Sequence, residues 1–180
     1  MDITHSTTIP ILQTERVLLR PLEVADFDAY AAVWADPVVT RFIGGRVFSR
    51  EESWQRFLRQ MGIWSVLGFG FWAVEDRATG RLLGEAGFHE LKRQIVPSIE
   101  GAPEAGWGLV PDVHGKGLAT EIVTAMHAWS DRTFSDARTV CIIHPENAGS
   151  IRVAEKCGYR RFADGTYRDA PMSIYERWPG

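Results

Sequence analysis

Apolar positions along the chain switch between a period of two and a period near 3.6, and each switch marks the end of one element and the start of another. Glu15 to Leu22 alternates as a first strand. Asp26 to Ala35 follows with helical spacing, and Asp26 stands where an N-cap belongs. Ser49-Arg-Glu-Glu52 has the form of a capping box, so a second helix opens there, with Trp54, Phe57, Leu58 and Met61 on its apolar face. Phe69 to Glu75 and Leu82 to Phe88 read as a hairpin around Arg77-Ala-Thr-Gly80, and Ala105 to Leu109 as the next strand. Leu118, Ile122, Ala125, Met126 and Trp129 form the stripe of an amphipathic helix. Val140 to Ile143 is a further strand, and the helix after it stops at Gly158, the residue type that most readily takes a left-handed C-cap. The order strand, helix, strand, helix, strand after residue 105 predicts an α/β (α+β) fold with a mixed sheet and helices on both faces.

The longest irregular connection is Leu91 to Pro103, with Pro97, Gly101 and Pro103. It reads either as an ordered element over an acceptor site or as a disordered surface loop. There are 7 tryptophans. Trp64, Trp72 and Trp107 suit an acceptor pocket or a homodimer face, but aromatic packing area favours the core.

The chemistry concentrates in Glu104-Ala-Gly-Trp-Gly-Leu-Val-Pro-Asp-Val-His-Gly-Lys-Gly-Leu-Ala-Thr-Glu121. It reads as a short strand, a loop with two glycines and a helix start. Gly115 and Gly117 lack a Cβ and let an anion reach the peptide groups, while the helix start offers unpaired N–H groups and the positive end of its dipole. A nucleotide P-loop does not fit, because Val110 stands at its first glycine and Gly117 at its hydroxyl position. A dinucleotide fingerprint fits poorly, because Thr120 replaces its third glycine and the next apolar run ends in His144-Pro145. Downstream comes Asn147-Ala-Gly-Ser150, leading to Glu155-Lys-Cys-Gly158-Tyr159.

With these two blocks in this order, the chain resembles the GNAT superfamily of acetyl-CoA-dependent N-acetyltransferases across roughly residues 10 to 178. The resemblance implies a mostly antiparallel sheet of about six to seven strands splayed around acetyl-CoA as co-substrate, with no metal. It implies a single domain over residues 1–180 with a flexible segment at 1–9. The implied cofactor contacts are Gly108, Leu109, Val110, His114, Gly115, Lys116, Gly117, Leu118, Ala119, Thr120, Asn147 and Ser150. Asp112 departs from the pattern, since Gln or Arg is usual there. With Leu12 to Leu22, Asp26, Asp36-Pro37-Val38 and Gly84-Glu-Ala-Gly87, it looks like the RimJ/RimL-like branch, which acetylates protein N-terminal alanine or serine and various small amines.

Composition fits a globular protein: 180 residues, 45% hydrophobic and 24% charged, with a net charge of -3. That sign argues against a dedicated nucleic-acid binder. No apolar run approaches the ~20 residues of a membrane helix, and the polar opening lacks a signal peptide's form, so a cytoplasmic location is expected. Cys141 and Cys157 are too few for a disulfide framework and read as buried fillers, with Cys157 alternatively near the cofactor thiol.

The reaction implied is attack of an uncharged amine, from a peptide N-terminus or a small molecule, on the acetyl thioester. It needs a proton acceptor, carbonyl polarisation and a proton for the thiolate. The family's usual acid, a tyrosine seven residues after the motif asparagine, is Ala154 here. Ser150 is the preferred acid instead, against the alternative that Asn147 and Ser150 only start a helix. Glu104 and Glu85 are the preferred bases, with His89 and Glu90 nearby; His114 and His144 suit ordinary turns as well as ligand contacts. A non-catalytic acyl-CoA-binding or regulatory module and an NAD-dependent oxidoreductase are the competing classes.

Overall fold

The computed structural model describes residues 8–134 and 137–179. The strands are β1 (Leu12–Gln13), β2 (Val17–Arg20), β3 (Phe71–Asp76), β4 (Leu82–His89), β5 (Glu104–Leu109), β6 (Thr139–Ile143), β7 (Arg160–Tyr167) and β8 (Ala170–Arg177). The helices are α1 (Phe27–Trp34), α2 (Pro37–Thr40), α3 (Arg50–Leu67), α4 (Leu118–Thr133) and α5 (Ala148–Lys156). One 8-stranded sheet runs β1-β2-β3-β4-β5-β6-β8-β7. Its pairs are antiparallel except β5 with β6. The strand count exceeds the expected six to seven because two-residue β1 pairs beside β2 and the chain closes with a full hairpin, β7–β8. Of the segment 1–9, residues 1–7 lie outside the described residues. Ile9 packs against the core, and the Trp72 indole N–H donates to the Pro10 carbonyl at 2.7 Å.

Alternation along the strands sorts the core onto the two faces of the sheet. On one face Trp72, Val74, Ala86, Phe88, Ala105 and Leu109 pack against Leu118, Ile122, Val123 and Met126 of α4. Each of the larger of these side chains, removed from water, contributes about 1.5–3 kcal/mol, which fixes α4 and the loop feeding it. On the other face Ala73 and Leu82 meet Tyr30, Val33, Trp34 and Phe57 from α1 and α3. Beside that cluster, Ile95, Ile99 and Ala102 of the long connection cover Val140 and Ile174. The connection is thus a packed element. Trp64 and Trp72 are buried and Trp107 packs half-buried against the same core.

Local chemistry explains where the helices differ from their expected form. Ser49 and Glu52 make both hydrogen bonds of the capping box. Leu58, however, is 49% exposed, and the sheet-facing side of α3 carries Ser53, Gln60, Ile63 and Trp64 besides Phe57. Asp26 does not cap α1. Its carboxylate accepts from the Glu23 N–H at 2.8 Å and pairs with Arg20 through both oxygens at 2.7 Å, so it closes the 3₁₀ turn Val24–Asp26 and ties that turn to β2.

Candidate active site

After β5 the chain makes a 3₁₀ turn over Pro111–Val113 and then passes through Gly115 and Gly117, at φ of 72° and 75°. Both angles lie in the left-handed region, where a side chain is strained, and the space beside Gly115 is open. Gly117 is the N-cap of α4. Among the described residues, no N–H from Gly115 through Thr120 donates to a protein acceptor. The array is held from the residue just before β2: the Arg16 guanidinium donates to the Lys116 carbonyl at 2.9 Å and to Glu121 at 2.7 Å. The Arg16 N–H also donates to Glu121, at 3.0 Å. Asp112 points away, paired with Arg81 at 2.5 Å, so its carboxylate does not crowd the loop. The His114 ring lies 2.9 Å from the Leu109 carbonyl, leaving backbone as that residue's contribution to the loop.

The expected splay sits beside this loop. β5 and β6 share one register pair, Glu104 with Val140, and then part. The Val110 N–H donates to the Leu83 carbonyl at 2.8 Å, so the main-chain groups of Val110, and at period two those of Gly108, turn toward β4. Those of Trp107 and Leu109 turn into the gap, as the approach of His114 to the Leu109 carbonyl confirms. Across the gap, the Asn147 side chain caps α5 by accepting from the Ser150 N–H at 3.1 Å. The capping alternative for Asn147 is therefore realised, while the half-buried Ser150 hydroxyl has no partner among the described residues. Ala154 is fully buried in the core and leaves no place for a tyrosine. Cys157 touches the Thr120 carbonyl at 3.7 Å, and burial raises its thiol pKa, as it does for Cys141. Neither sulfur is an activated thiolate.

The opposite face of β4 and β5 carries the carboxylates. Glu85 is 1% exposed. It accepts from Tyr30 at 2.8 Å and Gln60 at 3.0 Å and forms a close ion pair with Arg56. Arg56 in turn stacks 3.9 Å over the Trp34 ring. Glu104 is clamped by Arg93 at 2.5 and 2.9 Å and by the His89 Nε2 at 3.0 Å. Burial would push its pKa up, but the contacts with His89 and Arg93 prevail and hold it below the usual carboxylate range. Neither carboxylate is free to take a proton directly: Glu85 is closed off by three partners, and both oxygens of Glu104 are engaged by cationic or N–H groups. His89 differs. Its ring stacks on Phe71 at 5.1 Å, and its Nδ1 is buried without a partner. Phe42, from the turn after α2, lies 5.3 Å from the ring of His144 and reaches across to the end of β6. Arg16, Phe42, Arg56 and Arg93 lie far in sequence from the residues they serve, and no local pattern marks them.

A glycine-gated array of free N–H groups beside a parted pair of parallel strands makes an anion site at the mouth of a groove for an extended ligand. The chain belongs to the acetyltransferase (GNAT) domain family, whose profile matches residues 16–160. It is 26% identical over 157 residues to YoaA of Bacillus subtilis (strain 168), an uncharacterized N-acetyltransferase, covering 84% of each chain. Its structure is similar to that of a GNAT-family acetyltransferase from Bordetella pertussis, with a TM-score of 0.83 and 31% identity over 94% of this chain and 99% of the other. The same fold, at 15% identity and a TM-score of 0.76, occurs in a ribosomal L7/L12 α-N-protein acetyltransferase solved with coenzyme A, over 94% of this chain and 98% of that one.

Proposed function

We propose that the protein transfers the acetyl group of acetyl-CoA to a primary amine by direct attack within a ternary complex. The observation that carries this reading is the run of unpartnered N–H groups from Gly115 to Thr120, at the positive end of α4. These groups suit the coenzyme's diphosphate. Leu109, on the open side of β5 and flanked by Gly108 and Val110, lines the path of the acyl arm, and Asn147 and Ser150 face it from α5. The free main-chain N–H groups of Trp107 and Leu109 are the candidates for polarising the thioester carbonyl.

Glu104 acts in this scheme by orienting His89, whose Nδ1, otherwise buried without a partner, takes the amine's proton through a water that enters with the acceptor. The amine nitrogen then bonds to the carbonyl carbon, the C–S bond breaks, and the departing thiolate takes a proton from the Ser150 hydroxyl, which solvent restores. Glu85 organises the floor of the acceptor side. A protein N-terminus and a small amine both remain within this reading; the RimJ/RimL-like features of the sequence support the first. Two unpaired cysteines fit a reducing compartment such as the cytoplasm.

Calorimetric titration with acetyl-CoA tests the reading, and absence of heat at millimolar ligand overturns it. Ser150→Ala is expected to lower kcat while leaving acetyl-CoA affinity unchanged. Unaltered turnover would remove Ser150 from the reaction.

A further inference from the structure

The turn after α2 crosses from one of the parted strands to the other. Ile43 and Gly45 donate their N–H groups to the Thr40 carbonyl at 2.9 and 3.2 Å, and the chain reverses through Gly44 and Gly45 at φ of 84° and 69°. On the β5 side, Ile43 Cδ1 lies 3.9 Å and the rim of the Trp34 ring 3.4 Å from the point a Cβ would occupy at Gly108. On the β6 side, the neighbouring Phe42 ring stands 5.3 Å from that of His144, the residue after the strand. Leu109 packs in the cluster under α4, whereas Trp34 and Ile43 pack in the cluster on the other face of the sheet. Phe42 and Ile43 therefore roof the gap between β5 and β6 on the face opposite α4. The joined end of the gap is shut as well: Glu104 is paired with Val140, whose N–H donates to the Pro103 carbonyl at 3.0 Å.

Resting on the acetyltransferase reading, we infer that Phe42, backed by Ile43, is the stop that limits the transferred group to a short acyl chain. A thioester carbonyl held at the N–H of Trp107 or Leu109 lies within one residue of Gly108, so the carbons beyond it run toward the roof. A methyl group fits beneath it, while each further methylene must displace packed side chains, as unfavourable as overfilling a core. His89 stands opposite Glu104 in the β4–β5 register, at the joined end, so the roof leaves the amine's side of the thioester to His89. Phe42 is half-buried and belongs to none of the three apolar clusters among the described residues, so it can be shortened without opening the core.

Calorimetric titration of the whole protein with free, acetyl-, butyryl- and hexanoyl-coenzyme A tests this without an acceptor. The wild type is expected to bind the butyryl and hexanoyl forms roughly tenfold to a hundredfold more weakly than the acetyl form, the scale of an overpacked methylene or two. Phe42→Ala should bring the three acylated forms close to one another while leaving the affinity for free coenzyme A unchanged, and Phe42→Leu should fall between. Three results would overturn the inference: wild-type protein binding the longer acyl forms as tightly as the acetyl form, Phe42→Ala and Phe42→Leu both keeping the wild-type preference, or both weakening every form alike. Failure of the wild type to bind any of the four forms is a separate outcome, which overturns the transferase reading itself.

Discussion

The loop after β5 offers main-chain N–H groups set in place by glycine dihedrals, whereas the face across β4 and β5 offers side chains set in place by one another. The first needs a few residues at fixed spacing and a helix to follow. The second needs partners from α1, α3, the 91–103 connection and two strands, none close in sequence. In the proposed reaction, holding a shared co-substrate through backbone and an acceptor through side chains would let the second change while the first stays fixed.

The sharpest way to break this comparison is to damage the side-chain face and ask whether the loop notices. Glu85→Ala leaves Arg56 buried without its counter-ion and should cost about 3–5 kcal/mol of stability by urea unfolding. Acetyl-CoA affinity of the folded fraction should not change, and a matching loss of affinity would show that the two sides are one unit. Conversely, Gly117→Val puts a β-branched residue at a φ of 75° on the rim of the N–H array. About a hundredfold weaker acetyl-CoA binding is expected by calorimetry, the loss of two or so charge-assisted hydrogen bonds. Wild-type affinity in this variant would mean that the loop is only a turn.

A third perturbation reaches α4, the loop's support, without touching either side. His127 is buried between Phe88 and Tyr159, and burial, with a lesser push from Arg177 and against a pull from Asp131, lowers its pKa to about 3. A histidine depressed in the folded state stays neutral while the unfolded chain takes up a proton. Its stabilising contribution is therefore complete above the unfolded value near 6.5 and declines as pH falls from there toward 3. The slope expected is about 1.4 kcal/mol per pH unit, read from urea midpoints at pH 6 and 5, and His127→Gln should flatten it. An unchanged slope in the variant would assign the acid sensitivity elsewhere. The smallest effect is expected for Arg16→Ala. An exposed ion pair and one carbonyl contact are together worth roughly 1 kcal/mol, so KM for acetyl-CoA should rise severalfold with kcat unchanged, and Arg16→Lys should recover part. A fall in kcat instead would place Arg16 in the acceptor's service.

Legibility in the sequence followed the same division. Gly115, Gly117 and the α4 stripe are local patterns, and the structure has a loop, a left-handed N-cap and a buried helix face where they stand. The Ser49–Glu52 box and the hairpin turning at Arg77-Ala-Thr-Gly80 were readable for the same reason. Periodicity misplaced Leu58 because it counts apolar residues, while α3 turns Arg56 and Gln60 inward toward a buried acid. Asp26 reads as a cap by position, yet Arg20 and the Glu23 N–H claim its oxygens. Glu104 and Glu85 were legible only as carboxylates on neighbouring strands. That each would be neutralised by an arginine 11 and 29 residues away depends on tertiary geometry.

The single register pair between β5 and β6 leaves Trp107 and Leu109 as an open margin in the middle of a sheet rather than at its rim. Exposed margins of this kind attract extended chains carrying amides, which complete the ladder by adding to it. An acyl arm threaded into the gap would serve as a temporary ninth strand joining the two halves of the sheet. Amide hydrogen exchange on either flank should then slow when the co-substrate arrives and quicken when it leaves, so the fold itself would tighten and slacken once per turnover.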